Sequence, residues 1–321
     1  MKGGTGRRSL AACMRSTVWR ALQWIAGIAI VAFAARQLIT SWNDIATRPL
    51  VWQVRPLLLA ASAGCIWVMY GLLIQAWRVM LAGWGDSLPL REAARIWTVS
   101  SLGKYIPGKV WALAGMALMA QRAGVKPWAA TASAVVLQAL AIGSGAAVVG
   151  LFGSAALRAE YPWVGVVLPL LVAGSALGMA LLLWPRFVRR LLALVRVDLP
   201  AAASPGVRPV LYGVVANLIA WCGYGVAFWL LGRGLLELPG LTVGRAIATF
   251  AGSYIAGLLF LPAPGGIGVR ESVVLLMLTG AVGPASASAL AVASRVLLTL
   301  TEFGAAAPFL LSHRERMRAE S

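Results

Sequence analysis

The sequence predicts an all-α polytopic membrane protein, and three observations carry this prediction. Of the 321 residues, 60% are hydrophobic and 12% are charged, and the mean hydropathy is +0.82. A soluble domain is about half apolar and about a quarter charged, so this chain has too few charges to cover a water-exposed surface. Six apolar runs of about 20 residues are long enough to cross a bilayer. Two further apolar stretches are interrupted by Gly and Pro.

The six runs are predicted to be transmembrane helices separated by short, mostly basic loops. The first run could alternatively be a signal peptide that ends near Ala34, but we expect it to be kept as a helix. The last run is unusual because it contains Arg295 and Glu302. The predicted spans are residues 19–40, 57–80, 129–153, 163–184, 209–231 and 286–311.

The distribution of Lys and Arg predicts that both termini lie in the cytoplasm. The segments on the N-terminal side of the predicted membrane hold 20 basic residues, and those on the other side hold 7. Such a bias marks the cytoplasmic face of a membrane protein. We therefore predict a multi-pass protein of the cytoplasmic membrane, with a basic N-terminal segment 1–18, one transmembrane domain 19–312 and a cytoplasmic tail 313–321.

Several function classes are disfavoured by the composition. The net charge of +18 is split into short clusters between apolar runs, whereas a nucleic-acid-binding protein needs a solvated basic face. Cys13, Cys65 and Cys222 are far apart, and His313 is the one histidine, so no metal or thiol-redox motif is present. No GxxxxGK[ST] motif for ATP occurs either. We expect no cofactor and no enzyme activity of the chain by itself.

The two interrupted stretches begin with copies of one short motif. Residues 103–108 read GKYIPG, and residues 252–257 read GSYIAG, 149 residues later. Three predicted spans separate the copies, so they enter the membrane from opposite faces, as in the inverted repeats of secondary transporters. We predict repeat halves at about 57–160 and 205–312.

Each interrupted stretch is predicted to be a re-entrant hairpin of two half-helices. The alternative is a pair of ordinary helices kinked at Pro and Gly. The predicted half-helices are residues 94–106 and 109–121 in the first stretch, and 245–261 and 269–283 in the second.

The motif segments resemble a known family. Residues 100–109 (SSLGKYIPGK) and 261–271 (LPAPGGIGVRE) are similar to the two hallmark segments of the lysylphosphatidylglycerol synthase transmembrane-region family of flippase-like integral membrane proteins. The resemblance covers residues of about 20 to 312 and implies a bacterial or archaeal membrane protein that moves or handles anionic or polyprenyl-linked lipids. Full-length synthases also carry a soluble aminoacyl-transferase domain, which this sequence lacks, so the stand-alone members are the better comparison.

Eight residues in and around the hairpins are candidates for binding a lipid headgroup. Cations and free N–H groups at half-helix N-termini suit a phosphate, although the lysines could instead snorkel to surface headgroups and Glu271 could simply cap its helix. Arg295 and Glu302 lie about two turns apart on one helix face, and we predict that they form a switchable ion pair with each other. The alternative is a structural ion pair between helices. The candidates are Lys104, Tyr105, Lys109, Tyr254, Arg270, Glu271, Arg295 and Glu302.

The leading hypothesis is translocation or handling of an anionic or polyprenyl-linked lipid. One alternative is a membrane subunit or enzyme of cell-envelope lipid or glycolipid synthesis, and another is a scaffold that transports nothing. The expected partners are membrane lipids with anionic headgroups, together with either a second copy of the chain or an envelope-biosynthesis protein. Nucleic acid is not an expected partner.

Overall fold

The computed structural model describes residues 52–105, 111–157, 162–197, 199–200, 203–260 and 263–319. The predicted first span, the N-terminal basic segment and Lys109 lie outside these residues. Within them, the structure consists of ten α-helices and two 3₁₀ turns, Leu102–Tyr105 and Pro264–Gly266. The helices are α1 Pro56–Gly83, α2 Leu90–Ser101, α3 Trp111–Arg122, α4 Pro127–Leu157, α5 Val164–Leu181, α6 Pro185–Leu194, α7 Val207–Leu235, α8 Val243–Leu259, α9 Val269–Val282 and α10 Pro284–Ala319.

The protein is an all-α polytopic membrane protein, as predicted. Helices α1, α4, α5, α7 and α10 are long and apolar enough to cross a membrane, and they coincide with five predicted spans. Large apolar side chains point outward along them, for example Leu57, Leu170 and Leu300, which are 81%, 65% and 65% exposed. Such an apolar surface suits contact with lipid. The backbone polar groups, which lipid cannot satisfy, form hydrogen bonds within each helix.

Both interrupted stretches fold as helical hairpins. In the first, a Cβ atom on Gly115 would lie 3.7 Å from Cβ of Ser100, and one on Gly103 would lie 2.8 Å from the backbone nitrogen of Ala112. Residues farther from the turn on α2 therefore meet residues farther from the turn on α3, which is an antiparallel arrangement. A kinked continuous helix would keep these residues far apart, so the hairpin prediction is favoured over the kinked-helix alternative.

The second hairpin has the same antiparallel register. Here Gly257 packs against Gly266, and Gly252 packs against Met277. The half-helices of the two hairpins have 12, 12, 17 and 14 residues. At 1.5 Å per residue, the three shorter ones extend about 18–21 Å, which is less than the ~30 Å hydrocarbon core.

The two halves of the bundle repeat one order of elements: a long helix, a hairpin and a second long helix. The first helices of the two halves, α1 and α7, pack antiparallel. Two hydrogen bonds show this: Ser62 Oγ donates to the Ala227 carbonyl (2.6 Å), and Cys65 Sγ donates to the Gly223 carbonyl (3.2 Å). Helix α4 packs on α8 of the second hairpin, and α10 packs on α2 of the first. Each half therefore packs one of its long helices on the hairpin of the other half.

The buried apolar side chains form two clusters, one around each hairpin. Ile96, Met116 and Ala117 of the first hairpin pack with Trp77 and Leu140. The second cluster contains apolar residues of the second hairpin with α1, α4, α7 and α10, including Ile66, Val148, Phe228, Ile247, Phe250, Val274, Leu278 and Leu290. The described residues of the two hairpin tips, Leu102–Tyr105 and Pro264–Gly266, contact each other.

We predict that cysteines introduced at Ser100 and Gly115 form a disulfide in a background from which Cys13, Cys65 and Cys222 have been removed. The Cβ separation of 3.7 Å lies within the range of about 3.5–4.5 Å that disulfides require. The variant is cleaved by a protease between the two cysteines, and its mass or gel mobility is then measured with and without reductant. The matched control pairs Leu90→Cys with Gly115→Cys, which the antiparallel register separates by ~15 Å along the hairpin. Equal cross-linking of both pairs would contradict the hairpin.

Candidate functional site

A polar stripe on one face of α10 holds the tips of both hairpins. Arg295, Thr299 and Glu302 follow one another at intervals of four and three residues, which places them on the same side of a helix. Charged side chains inside an apolar bundle are costly unless they find partners. Each end of the stripe meets a different hairpin.

The Glu302 carboxylate binds the first hairpin. It forms an ion pair with the ammonium group of Lys104, and its Oε2 accepts a hydrogen bond of 2.8 Å from the Tyr105 hydroxyl. The hydroxyl of Tyr70 on α1 donates to Oε1 at 3.4 Å. The Glu302 side chain is 6% exposed and that of Lys104 is 24% exposed. Three groups from two elements thus hold this carboxylate in a fixed position.

Arg295 binds the second hairpin in the same way. Its guanidinium donates to Glu271 Oε1 at 3.1 Å and to the Gly265 carbonyl at 3.0 Å. Glu271 also accepts, through Oε2, a hydrogen bond of 2.7 Å from the Gly268 backbone N–H. Glu271 therefore caps the N-terminus of α9, where a carboxylate is favoured. Arg295 satisfies a backbone carbonyl that the break in the helix leaves free.

The predicted switchable pair of Arg295 with Glu302 is therefore wrong, and the alternative of structural ion pairs between helices is confirmed. The two residues do share one helix face, as expected, but each has a partner on a different hairpin. A pattern of charges along one helix cannot reveal partners that other helices bring. Arg295 and Glu302 therefore hold both hairpin tips on α10, an arrangement that we call the clamp, and they do not form a separate switch.

The tip of the second hairpin depends on glycine. Gly265, Gly266 and Gly268 have φ values of 56°, 72° and 84°, which residues with a side chain rarely adopt. A Cβ atom on Gly257 would lie 2.5 Å from Cγ of Arg270. The aliphatic stem of Arg270 therefore passes through a notch between the half-helices that only glycine leaves open.

A cavity of about 270 Å³ lies where the hairpins, α1, α4, α7 and α10 converge. Four predicted candidates line it: Lys104, Tyr254, Arg270 and Glu302. Tyr105, Glu271 and Arg295 do not line it and instead support residues that do. Among the described residues, the charged groups of the lining are two cations and one carboxylate. The cavity therefore carries a net positive charge.

Arg270 differs from the other charged residues of the site because it has no ionic partner among the described residues. Its guanidinium lies 4.7 Å from the centre of the Tyr254 ring and 5.9 Å from that of Phe250. Aromatic faces stabilise a cation without consuming its hydrogen-bond donors. The five N–H donors of Arg270 are thus held at the cavity wall without an acceptor in the described part of the chain.

The sequence prediction missed the aromatic wall of the cavity. Tyr224 stacks on Phe250 with ring centres 5.5 Å apart, and Trp221 contacts Tyr254 at 5.5 Å. Tyr70 and Tyr224 stand near the middle of their predicted spans, whereas tyrosine prefers the membrane interface. This unusual position within the predicted spans could have identified Tyr70 and Tyr224 from the sequence alone.

The comparisons with known proteins leave the family open. No protein-family model matches the chain, and no curated protein matches it. The described residues contain no group of three or more His, Cys, Asp and Glu side chains that could hold a metal ion.

We predict that Glu302→Gln destabilises the protein by about 3–5 kcal/mol, because removal of one partner from a buried ion pair leaves the other charge uncompensated. The measurement is the free energy of unfolding in detergent. The matched control is Glu237→Gln. Glu237 lies 3.8 Å from Arg55 and is 59% exposed, so its loss is expected to cost about 0–1 kcal/mol. Equal effects of the two substitutions would show that the α10 stripe does not clamp the hairpin tips.

Proposed function

We propose that the protein binds the headgroup of an anionic lipid in the central cavity and translocates it across the cytoplasmic membrane. The observation that carries this proposal is the guanidinium of Arg270, which lines the cavity and has no acceptor among the described residues. An arginine fork matches the oxygens of a phosphate and can bind them bidentately. A phosphate would supply the missing acceptor.

The size of the cavity favours a headgroup over a whole lipid. Its volume of about 270 Å³ is near the lower end of the ~300–1,000 Å³ of small-molecule sites. In our proposal, the headgroup enters the cavity while the acyl chains stay in the bilayer. The apolar outer surface of the bundle suits such an arrangement.

The hairpins provide a way for the site to face either side of the membrane. Inverted repeats with broken helices at their centre support alternating access around a fixed site in secondary transporters. Here the ion pairs of α10 with Lys104 and Glu271 hold both tips against the cavity. We propose that the pair between Arg295 and Glu271 opens when the headgroup passes, while the pair between Glu302 and Lys104 stays closed.

The proposed orientation places both termini in the cytoplasm. Exposed basic side chains gather at one end of the bundle, where α1 and α3 end and α2, α4 and α6 begin. They include Arg91, Arg122, Lys126, Arg186 and Arg190. This end is the predicted cytoplasmic face, because basic residues accumulate there. The resemblance to flippase-like proteins agrees with the same proposal.

We predict that Arg270→Gln lowers the rate of translocation of acyl-labelled phosphatidylglycerol by about tenfold or more, because a charge-assisted hydrogen bond is worth about 1.5–3 kcal/mol. The measurement is dithionite quenching of the labelled lipid in liposomes that contain purified protein. The control is Arg233→Gln, since Arg233 also lies over an aromatic ring, 5.6 Å from that of Trp229, but does not line the cavity.

The control is expected to keep the rate of the unsubstituted protein. If folded protein of natural sequence moves phosphatidylglycerol no faster than empty liposomes, translocation of this lipid is contradicted. Turnover of a lipid-linked sugar by the purified chain alone would instead favour the enzyme of glycolipid synthesis.

A further inference from the structure

The described part of the cavity wall contains one carboxylate, and that carboxylate is already engaged. Glu302 is held by the Lys104 ammonium and by the hydroxyls of Tyr105 and Tyr70. The other two charged groups of the lining, Lys104 and Arg270, are cations. A ligand in the cavity therefore meets one uncompensated positive charge and no free negative charge of the described residues.

We propose that the cavity selects phosphodiester headgroups that carry hydroxyl groups and rejects headgroups that carry an amine, and that Lys104 enforces the rejection by occupying Glu302. This inference rests on the proposed binding of a lipid headgroup. It names the class of headgroup and assigns Lys104 a role in specificity, in place of the phosphate-binding role expected from the sequence.

The rejection of amines follows from the cost of a buried cation. An ammonium group that enters an apolar site loses its hydration and needs a carboxylate partner to offset that loss. Glu302 can serve only if Lys104 is displaced, and the displaced Lys104 would then be a buried cation without a partner. Arg270 adds like-charge repulsion, which a low-dielectric site strengthens.

The preference for hydroxyls follows from unpaired polar groups on the cavity wall. Tyr224, Tyr254 and Gln138 all line the cavity, and their side chains form no hydrogen bond with another residue that the structure describes. A ligand hydroxyl can both donate and accept, so it suits phenol and amide groups together. A polyol joined to a phosphate offers such hydroxyls next to the group that Arg270 binds.

Two variants of equal charge separate this inference from simple charge attraction. Lys104→Gln and Arg270→Gln each reduce the charge of the described lining by one unit. Lys104→Gln frees Glu302 to accept an ammonium, whereas Arg270→Gln leaves Glu302 occupied. If the position of the removed charge decides selectivity, the two variants must differ in the lipids that they bind.

The experiment is native mass spectrometry of the detergent-purified chain in competition with four defined lipids. The hydroxyl-bearing lipids are phosphatidylglycerol and phosphatidylinositol, and the amine-bearing lipids are phosphatidylethanolamine and the lysyl ester of phosphatidylglycerol. We expect the natural chain to prefer both hydroxyl-bearing lipids by about tenfold. Lys104→Gln should bind phosphatidylethanolamine within about threefold of phosphatidylglycerol, and Arg270→Gln should lose phosphatidylglycerol without gaining phosphatidylethanolamine.

Equal binding of all four lipids by the natural chain, or equal selectivity of the two variants, would overturn the inference while leaving headgroup binding intact. Undiminished binding of phosphatidylglycerol by Arg270→Gln would instead contradict the proposed function. If Lys104→Gln does not fold, the double variant Lys104→Gln/Glu302→Gln provides the test. It keeps Arg270 and has no carboxylate, so it should bind phosphatidylglycerol and still reject phosphatidylethanolamine, and acceptance of the amine would overturn the inference.

Discussion

The interaction on which the site depends is the pair of charged contacts between α10 and the two hairpin tips. Broken helices leave backbone groups and charges in an apolar bundle, where each must find a partner. Arg295 meets the free carbonyl of Gly265 and the carboxylate of Glu271, and Glu302 meets Lys104 and Tyr105. One helix therefore binds the described tips of both hairpins, and these tips lie next to each other.

The ion pairs of α10 engage four charged residues of the site: Lys104, Glu271, Arg295 and Glu302. The remaining charged residue differs from these four. Arg270 has no ionic partner among the described residues and is held by the rings of Tyr254 and Phe250. Its stem passes the glycine notch at Gly257 and Gly266, so its guanidinium is directed to the cavity wall. Positioning by ring faces and glycines leaves the hydrogen-bond donors available, which is what binding of an anionic headgroup requires.

The sequence was sufficient to predict the membrane class, five of the spans and both hairpins, because apolar run length and Gly/Pro breaks are local properties. It also identified Lys104, Tyr254, Arg270 and Glu302, all of which line one cavity. It was less successful with the partners of Arg295 and Glu302. The leading prediction paired them with each other, and only the alternative of ion pairs between helices agrees with the structure. Long-range contacts of this kind, like the aromatic wall around Tyr224, arise from packing between helices distant in sequence, which spacing along one helix does not encode.

The most direct test of the account is a cryo-EM structure of the protein in nanodiscs that contain phosphatidylglycerol. The account predicts density for a phosphate in the central cavity, within hydrogen-bond distance of the Arg270 guanidinium. It also predicts that the ion pair of Glu302 with Lys104 stays intact next to the headgroup. A well-resolved cavity without a headgroup, together with a lipid phosphate bound to other cations of the protein, would contradict it.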